Sequence, residues 1–303
     1  MKYSVLLSLV FSFTVFAGGS KRPHFEAKIN TPLDKVIIIG IDGLGSRNLK
    51  SRSLRGKTPN IKRLREMSAW THSATIDREN FSGPNWAGIF TGSGSKVTGV
   101  NSNKCVKSKV PTIFDLIKSR RKDLKIDFIY EEWTPVTCYA QDTKNYDTLT
   151  RFTDPETITD KAVEIINSKN FNLINLYYVE VDESGHRTVG NSKEYNAEVI
   201  KVDKAIGRIL DSLKNNDLLS STLIIMVSDH GHFRVVNGHS TRLHKVPLYI
   251  SGPGVVRGKM RNGILKHKVL RNLHVAPIIA HFLGLSTPTS WEYGILPYKK
   301  YFK

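Results

Sequence analysis

Three hydrophobic runs in this chain stop at a carboxylate: VIIIGIDG at Asp42, LYYVEVDESGH at Asp182 and His186, and IIMVSDHGH at Asp229 and His230. A β-branched run without polar interruption is the pattern of a strand buried on both faces. A strand that ends in Asp or Asp-His delivers those side chains to the rim of its sheet, and in open α/β sheets the carboxyl rim is where ligands bind. The three endings lie far apart in the chain, so only a shared sheet brings them together. Helical patterns fill the intervals. Thr58-Pro59-Asn60 opens one, with Ile61, Leu64, Met67 and Trp70 at helical spacing. Others are expected over 84–90, 111–118, 154–168, 192–213 and 272–284, with further strands over 126–130 and 246–251 and a loop around Asp182. Strands alternating with helices predict an α/β fold, a mostly parallel sheet sandwiched between helices.

The first residues carry one charge, Lys2, then an apolar run and a small-residue site at Val15-Phe16-Ala17. This reads as a secretory signal peptide over 1–17, followed by a polar arm over 18–34 and a single catalytic domain over 35–303. The apolar run is shorter than the ~20 residues of a spanning helix. No membrane span is therefore expected after cleavage, and the chain is expected to be exported, either periplasmic or secreted. Its 45 Lys and Arg against 27 Asp and Glu give a net charge of +18, which attracts anions. A nucleic-acid partner is not expected, because no clustered patch with interleaved aromatics is seen; a small anionic phosphate ester fits the charge as well. The two cysteines, Cys105 and Cys138, are either bridged or two buried thiols. They are not in a C-x-x-C spacing, which argues against a thiolate metal site.

The polar strand ends share one chemistry. Asp182 and His186 stand four residues apart, Asp229 and His230 are adjacent, and Asp42 and His239 add one carboxylate and one imidazole. Mixed oxygen and imidazole donors suit zinc or manganese better than calcium. Six ligands divide as three and three, which predicts two divalent metal ions, zinc in the first place. Ser82, just before Pro84 at the mouth of a predicted helix, is a candidate nucleophile, since the helix end favours an oxyanion and a metal or base would activate the hydroxyl. The competing role for a serine there is helix capping.

Taken in order, VIIIGIDGLG, FSGPNWAGIFTG, VTGVNSN, VEVDESGHRTVG, SDHGH and GHSTRLHKVPLYISGPG, with LHVAPIIAHFLGL near the end, resemble the motifs of the alkaline phosphatase superfamily. The branch they resemble most is the type I phosphodiesterase/nucleotide pyrophosphatases. That resemblance implies that Asp42, Asp229 and His230 hold the metal that also contacts Ser82. It implies that Asp182, His186 and His239 hold the other, and that Ser82 forms a covalent phospho-enzyme. Asn103, with the backbone N–H of Gly83, would bind a non-bridging phosphate oxygen.

Departures from the pattern matter. That branch usually carries threonine where this chain has Ser82, and His244 competes with His239 for the last ligand position. Among neighbours of the motifs, His232 is read as a surface turn, Trp86 as packing beneath the nucleophile helix, and Lys104 and Arg187 as a solvated basic face. The expected activity is hydrolysis of phosphodiester or nucleotide pyrophosphate bonds. Phosphomonoester hydrolysis is the alternative within enzymes, and a non-catalytic basic periplasmic binding protein is the alternative outside them. A sulfatase would need an arginine context that Ser82-Gly83-Pro84-Asn85 lacks.

Overall fold

The computed structural model describes residues 32–77, 79–140, 142–232, 245–260, 269–294 and 301–302. The expected signal peptide and almost all of the arm lie outside the described residues. The chain runs β1 (Val36–Ile41), α1 (Ser46–Leu49), α2 (Pro59–Glu66), β2 (Ala69–Thr75), α3 (Ser82–Thr91), α4 (Ser95–Thr98) and α5 (Ile113–Arg120). It continues through β3 (Ile126–Glu131), α6 (Pro135–Tyr139), β4 (Thr148–Phe152), α7 (Pro155–Ser168), β5 (Leu173–Tyr178), α8 (Glu180–Arg187) and α9 (Lys193–Asn215). β6 (Leu223–Val227), β7 (Lys245–Ser251), β8 (Gly258–Lys259) and α10 (Val275–Phe282) follow.

The strands form one sheet in the order β4-β3-β5-β1-β6-β7-β2-β8. The five from β4 to β6 are mutually parallel, and β7 is antiparallel to both β6 and β2. Strand alternation divides the apolar side chains between two faces. Ile37, Ile39 and Ile41 of β1 point into the core beneath α2, α7 and α9, whereas Val36 and Ile38 point into the core beneath α3, α5 and α10. Covering a parallel sheet on both faces in this way is what its continuous apolar strands require.

The register then sets the rim. Ile41 pairs with Tyr178 and Gly40 with Val227, so β1, β5 and β6 end at one level. Asp42 follows β1 at once, Asp229 follows β6 after one residue, and Asp182 lies in the first turn of α8 just beyond β5.

Two local expectations change. The segment at Asp182 is helical rather than a loop, which puts Asp182 and His186 on one helix face. The helix opened by Pro59 ends at Glu66, and Trp70 belongs to β2 instead. There the alternation of Ala69, Trp70 and Thr71 against β7 prevails over a chance helical spacing. No helix among the described residues is long and apolar enough to cross a membrane.

Candidate active site

Asp42, Asp229 and His230 are fully buried and converge on the hydroxyl of Ser82. His230 Nε2 lies 3.1 Å from Ser82 Oγ, 3.2 Å from Asp229 Oδ2 and 3.4 Å from Asp42 Oδ1. Ser82 Oγ donates to Asp42 Oδ1 at 3.4 Å. The other oxygen of Asp42 is held from behind: Trp86 Nε1 donates to Oδ2 at 2.8 Å and the Tyr177 hydroxyl at 2.5 Å. Gly43 N–H donates to Asp229 Oδ1 at 3.1 Å. Asp42 thus has one oxygen fixed by the protein and one accepting from the serine, while Asp229 has Oδ1 fixed and Oδ2 facing His230.

Ser82 is the first residue of α3, and Phe81 stands at the cap position with no side-chain capping bond. The serine therefore does not cap the helix. Its hydroxyl instead sits at the positive end of the helix dipole. Trp86 packs beneath α3 as expected and also donates to Asp42, a role that sequence reasoning missed.

A second group adjoins the first. Asp182 Oδ2 lies 3.1 Å from His186 Nε2, and Asp182 Oδ1 lies 2.5 Å from His232 Nε2 and 3.8 Å from His230 Nδ1. The His186 and His232 rings stand perpendicular, with centroids 4.7 Å apart. His232 is only 1% exposed, so its reading as a surface turn is overturned. The Asp229-His230-Gly231-His232 segment folds back from the rim so that both imidazoles face Asp182. His239, and with it the choice between His239 and His244, lies outside the described residues.

The electrostatics fit a dication. Burial, then the charges of Asp229 and Asp182, push the Asp42 carboxyl well up, against the hydrogen bonds from Tyr177 and Trp86. Burial and Asp182 raise Asp229 to about 7. Burial would raise Asp182 too, but the charge of His230 and the bonds from His186 and His232 outweigh it and hold that carboxyl well below the usual range. Neither Asp42 nor Asp229 has a lysine or arginine partner among the described residues. Buried carboxylates crowded together without such a partner are costly unless a cation joins them. Each group, Asp42–Asp229–His230 and Asp182–His186–His232, brings its ligand atoms within 4.8 Å of one another and offers the oxygen and imidazole donors of a divalent ion.

The surroundings hold these groups in place. Glu131, at the end of β3, is 1% exposed, and its Oε2 accepts the N–H groups of Val179 at 2.6 Å and Glu180 at 2.8 Å. It thereby caps α8, the helix that carries Asp182 and His186. Nothing in the local sequence around Glu131 signals this, because its partners are almost fifty residues away.

On the other flank, Gly83 N–H donates to Asn103 Oδ1 at 2.9 Å. A Cβ at Gly83 would lie 2.2 Å from Ser102 O and 2.7 Å from the Tyr139 hydroxyl, so only glycine permits this approach. Cys105 and Cys138 are bridged, and Tyr139 donates to Lys104 O at 3.1 Å. Both contacts tie the Asn103 loop to α6. Arg187, read as part of a solvated face, pairs with Glu180, and Lys104 is exposed.

The family description type I phosphodiesterase / nucleotide pyrophosphatase matches residues 123–249. The fold agrees: murine ectonucleotide pyrophosphatase/phosphodiesterase 5 superposes with a TM-score of 0.67 over 89% of this chain and 100% of that one, at 14% identity. Over residues 123–249 the chain thus resembles the type I phosphodiesterases/nucleotide pyrophosphatases, and its fold is of the same kind. It is 31% identical over 138 residues to a 2,3-bisphosphoglycerate-independent phosphoglycerate mutase of Wolbachia pipientis, covering 43% of this chain and 24% of that protein. It is 33% identical over 93 residues to ectonucleotide pyrophosphatase/phosphodiesterase family member 7 of Rattus norvegicus, covering 30% and 21%. The chain thus aligns with about a quarter or less of these relatives' own lengths. Sulfatases are also among the proteins it resembles.

Proposed function

We propose that this chain is an exported, metal-dependent phosphoric ester hydrolase that cleaves phosphodiester or nucleotide pyrophosphate bonds through a phospho-serine intermediate on Ser82. The observation that carries the reading is the position of Ser82 Oγ, 3.1 Å from His230 Nε2 and 3.4 Å from Asp42 Oδ1 at the start of α3. Asp42, Asp229 and His230 would hold one ion. Asp182, His186 and His232, with His239 beyond the described residues, supply donors for the other; zinc is the first candidate and manganese the second. Bound there, divalent ions act as Lewis acids toward phosphoryl oxygens and stabilise negative charge.

The chain's own residues divide the remaining work. The Ser82 oxygen attacks phosphorus from the base of the site, the ester or anhydride P–O bond opposite it breaks, and the departing alcohol or phosphate takes up the proton that Ser82 gives up. The N-terminus of α3 faces the charge that develops there. Asn103, held against the backbone of Gly83, would orient a non-bridging oxygen. Water then releases the phosphoryl group from Ser82, which recovers its proton.

Export is supported by the apolar N-terminal run and by the Cys105–Cys138 bridge, since such bridges persist in oxidising compartments. Phosphomonoester hydrolysis is the second reading, favoured by serine in place of the branch's usual threonine. Initial rates on aryl diester, nucleotide and aryl monoester substrates, each with added zinc or manganese, separate the two. The proposal expects the diester or nucleotide to exceed the monoester. A monoester preference would establish the second reading, and inactivity on all three would overturn both.

A further inference from the structure

A separate cavity of about 430 Å³ opens between the segment that leaves α1, the helix α2, and the β2–β7 strand pair. It lies against the α2 side of the sheet, at the antiparallel end. Its lining includes Lys50, Arg55, Lys62 and Arg65, and not one carboxylate. Lys62 has an exposed pairing with Glu66 at 3.6 Å. Lys50 and Arg55 have no ion pair among the described residues. The polar floor is His72 and Tyr249, whose Nε2 and hydroxyl lie 2.5 Å apart.

The aromatic and cationic groups here are interleaved. The rings of Trp70, His72 and Tyr249 form a triangle with centroids 5.1, 5.6 and 6.4 Å apart. Arg65 and Lys259 both stand over the Trp70 ring, at 5.2 and 5.8 Å. The imidazole senses this concentration of charge: burial first, then Lys50, Arg65 and Lys259, bring His72 down to about 4. A cavity elsewhere, between α7 and α9, shows the contrast, because Asp154 and Glu156 share its wall with Lys201, Lys204 and Arg208. Cations converging on a concave site without carboxylates leave a positive potential that a bound anion would neutralise.

We infer that this cavity is a second anion site, which takes a small organic phosphate or phosphonate, its tetrahedral oxyanion between Lys50, Arg55 and Arg65 and its apolar body toward His72 and Tyr249. The oxyanion offers several acceptors to ammonium and guanidinium donors. An aromatic body gains contact with the rings and with the alkyl stems of the cations. The site requires neither Ser82 nor the Asp and His groups of the rim.

The test is calorimetric titration of the full-length mature protein with phenylphosphonate, which has no ester bond to hydrolyse, and with inorganic phosphate. Three proteins are compared: wild type, Lys50→Gln/Arg55→Gln, and Lys204→Gln/Lys214→Gln, which removes the same charge from exposed positions of α9. An anion bound beside Ser82 is common to all three, so the difference isolates the cavity. The expected result is a phenylphosphonate site in wild type and in the α9 variant that weakens at least tenfold in the Lys50/Arg55 variant, with inorganic phosphate binding more weakly at the same site. Phosphate binding as tightly as phenylphosphonate would remove the apolar half of the inference. Equal weakening in both variants, or no site lost in either, would overturn it. Thermal melting of each variant verifies that the fold is kept.

Discussion

The two carboxylate–imidazole groups on the rim differ in how they are built. The Asp42–Asp229–His230 group is closed, with all three side chains fully buried and the rear oxygen of Asp42 locked by Trp86 and Tyr177. The Asp182–His186–His232 group is more open: the His186 side chain is 32% exposed, and its helix depends on a remote cap, Glu131. On the proposed reading, the closed group holds Ser82 in place, whereas the open group, carried in part by α8, leaves room for the departing ester group.

If that contrast governs function, substitutions should rank accordingly. Asp229→Ala, in the closed group, is expected to lower turnover roughly 10³-fold or more, and His186→Ala to have an effect roughly tenfold smaller. Steady-state rates on an aryl diester measure both, and equal losses would erase the distinction. Chelator dialysis followed by metal analysis should begin from two divalent ions per chain, one for each group. The ion of the open group should leave first; simultaneous loss would show the two sites to be one unit.

Tyr177→Phe removes a donor to Asp42 and is expected to weaken metal affinity by about 10–100-fold, with a stability cost of about 1–3 kcal/mol for the buried carboxylate left short of a partner. Unchanged affinity on metal titration would mean that the lock on Asp42 is ornamental.

The smallest effect concerns the cap. Burial raises the Glu131 carboxyl to about 7 against the opposing bonds from Glu180 and Val179. Because this folded value lies above the unfolded 4.5, its contribution to stability is fully present below about 4.5 and is lost as the pH rises through about 7. Glu131→Gln should therefore flatten the fall of Tm between those pH values relative to wild type. Parallel Tm curves would show that the group does not titrate in that window.

Much of this was legible in the sequence because it is local. A β-branched run that ends in Asp announces a rim residue, whereas the shared face of Asp182 and His186 came only with the helix α8, where a loop was expected. The helix mouth was legible from Ser82-Gly83-Pro84, which left Ser82 either as a cap or as a candidate nucleophile until the resemblance favoured the second. What was missed depends on tertiary contact: His232 faces inward because the segment after Asp229 turns back toward α8, and Tyr177 and Trp86 meet at Asp42 from a strand and a helix. The cap from Glu131 joins the end of β3 to the helix α8 that follows the neighbouring strand β5. Strand β2 was hidden because Met67 and Trp70 continue a helical spacing for one turn too many. The bridge between Cys105 and Cys138 was open from sequence, since pairing depends on a distance that only the fold supplies.

The proposed function stands or falls on Ser82 as the carrier of the phosphoryl group. Acid quenching during turnover of an aryl diester or nucleotide, followed by mass spectrometry of the peptide that contains Ser82, tests it directly. A phosphoryl adduct on Ser82 is expected in the wild-type protein, and for Ser82→Ala neither adduct nor turnover at intact metal content. Full turnover by Ser82→Ala, or an adduct on a different residue, would contradict it.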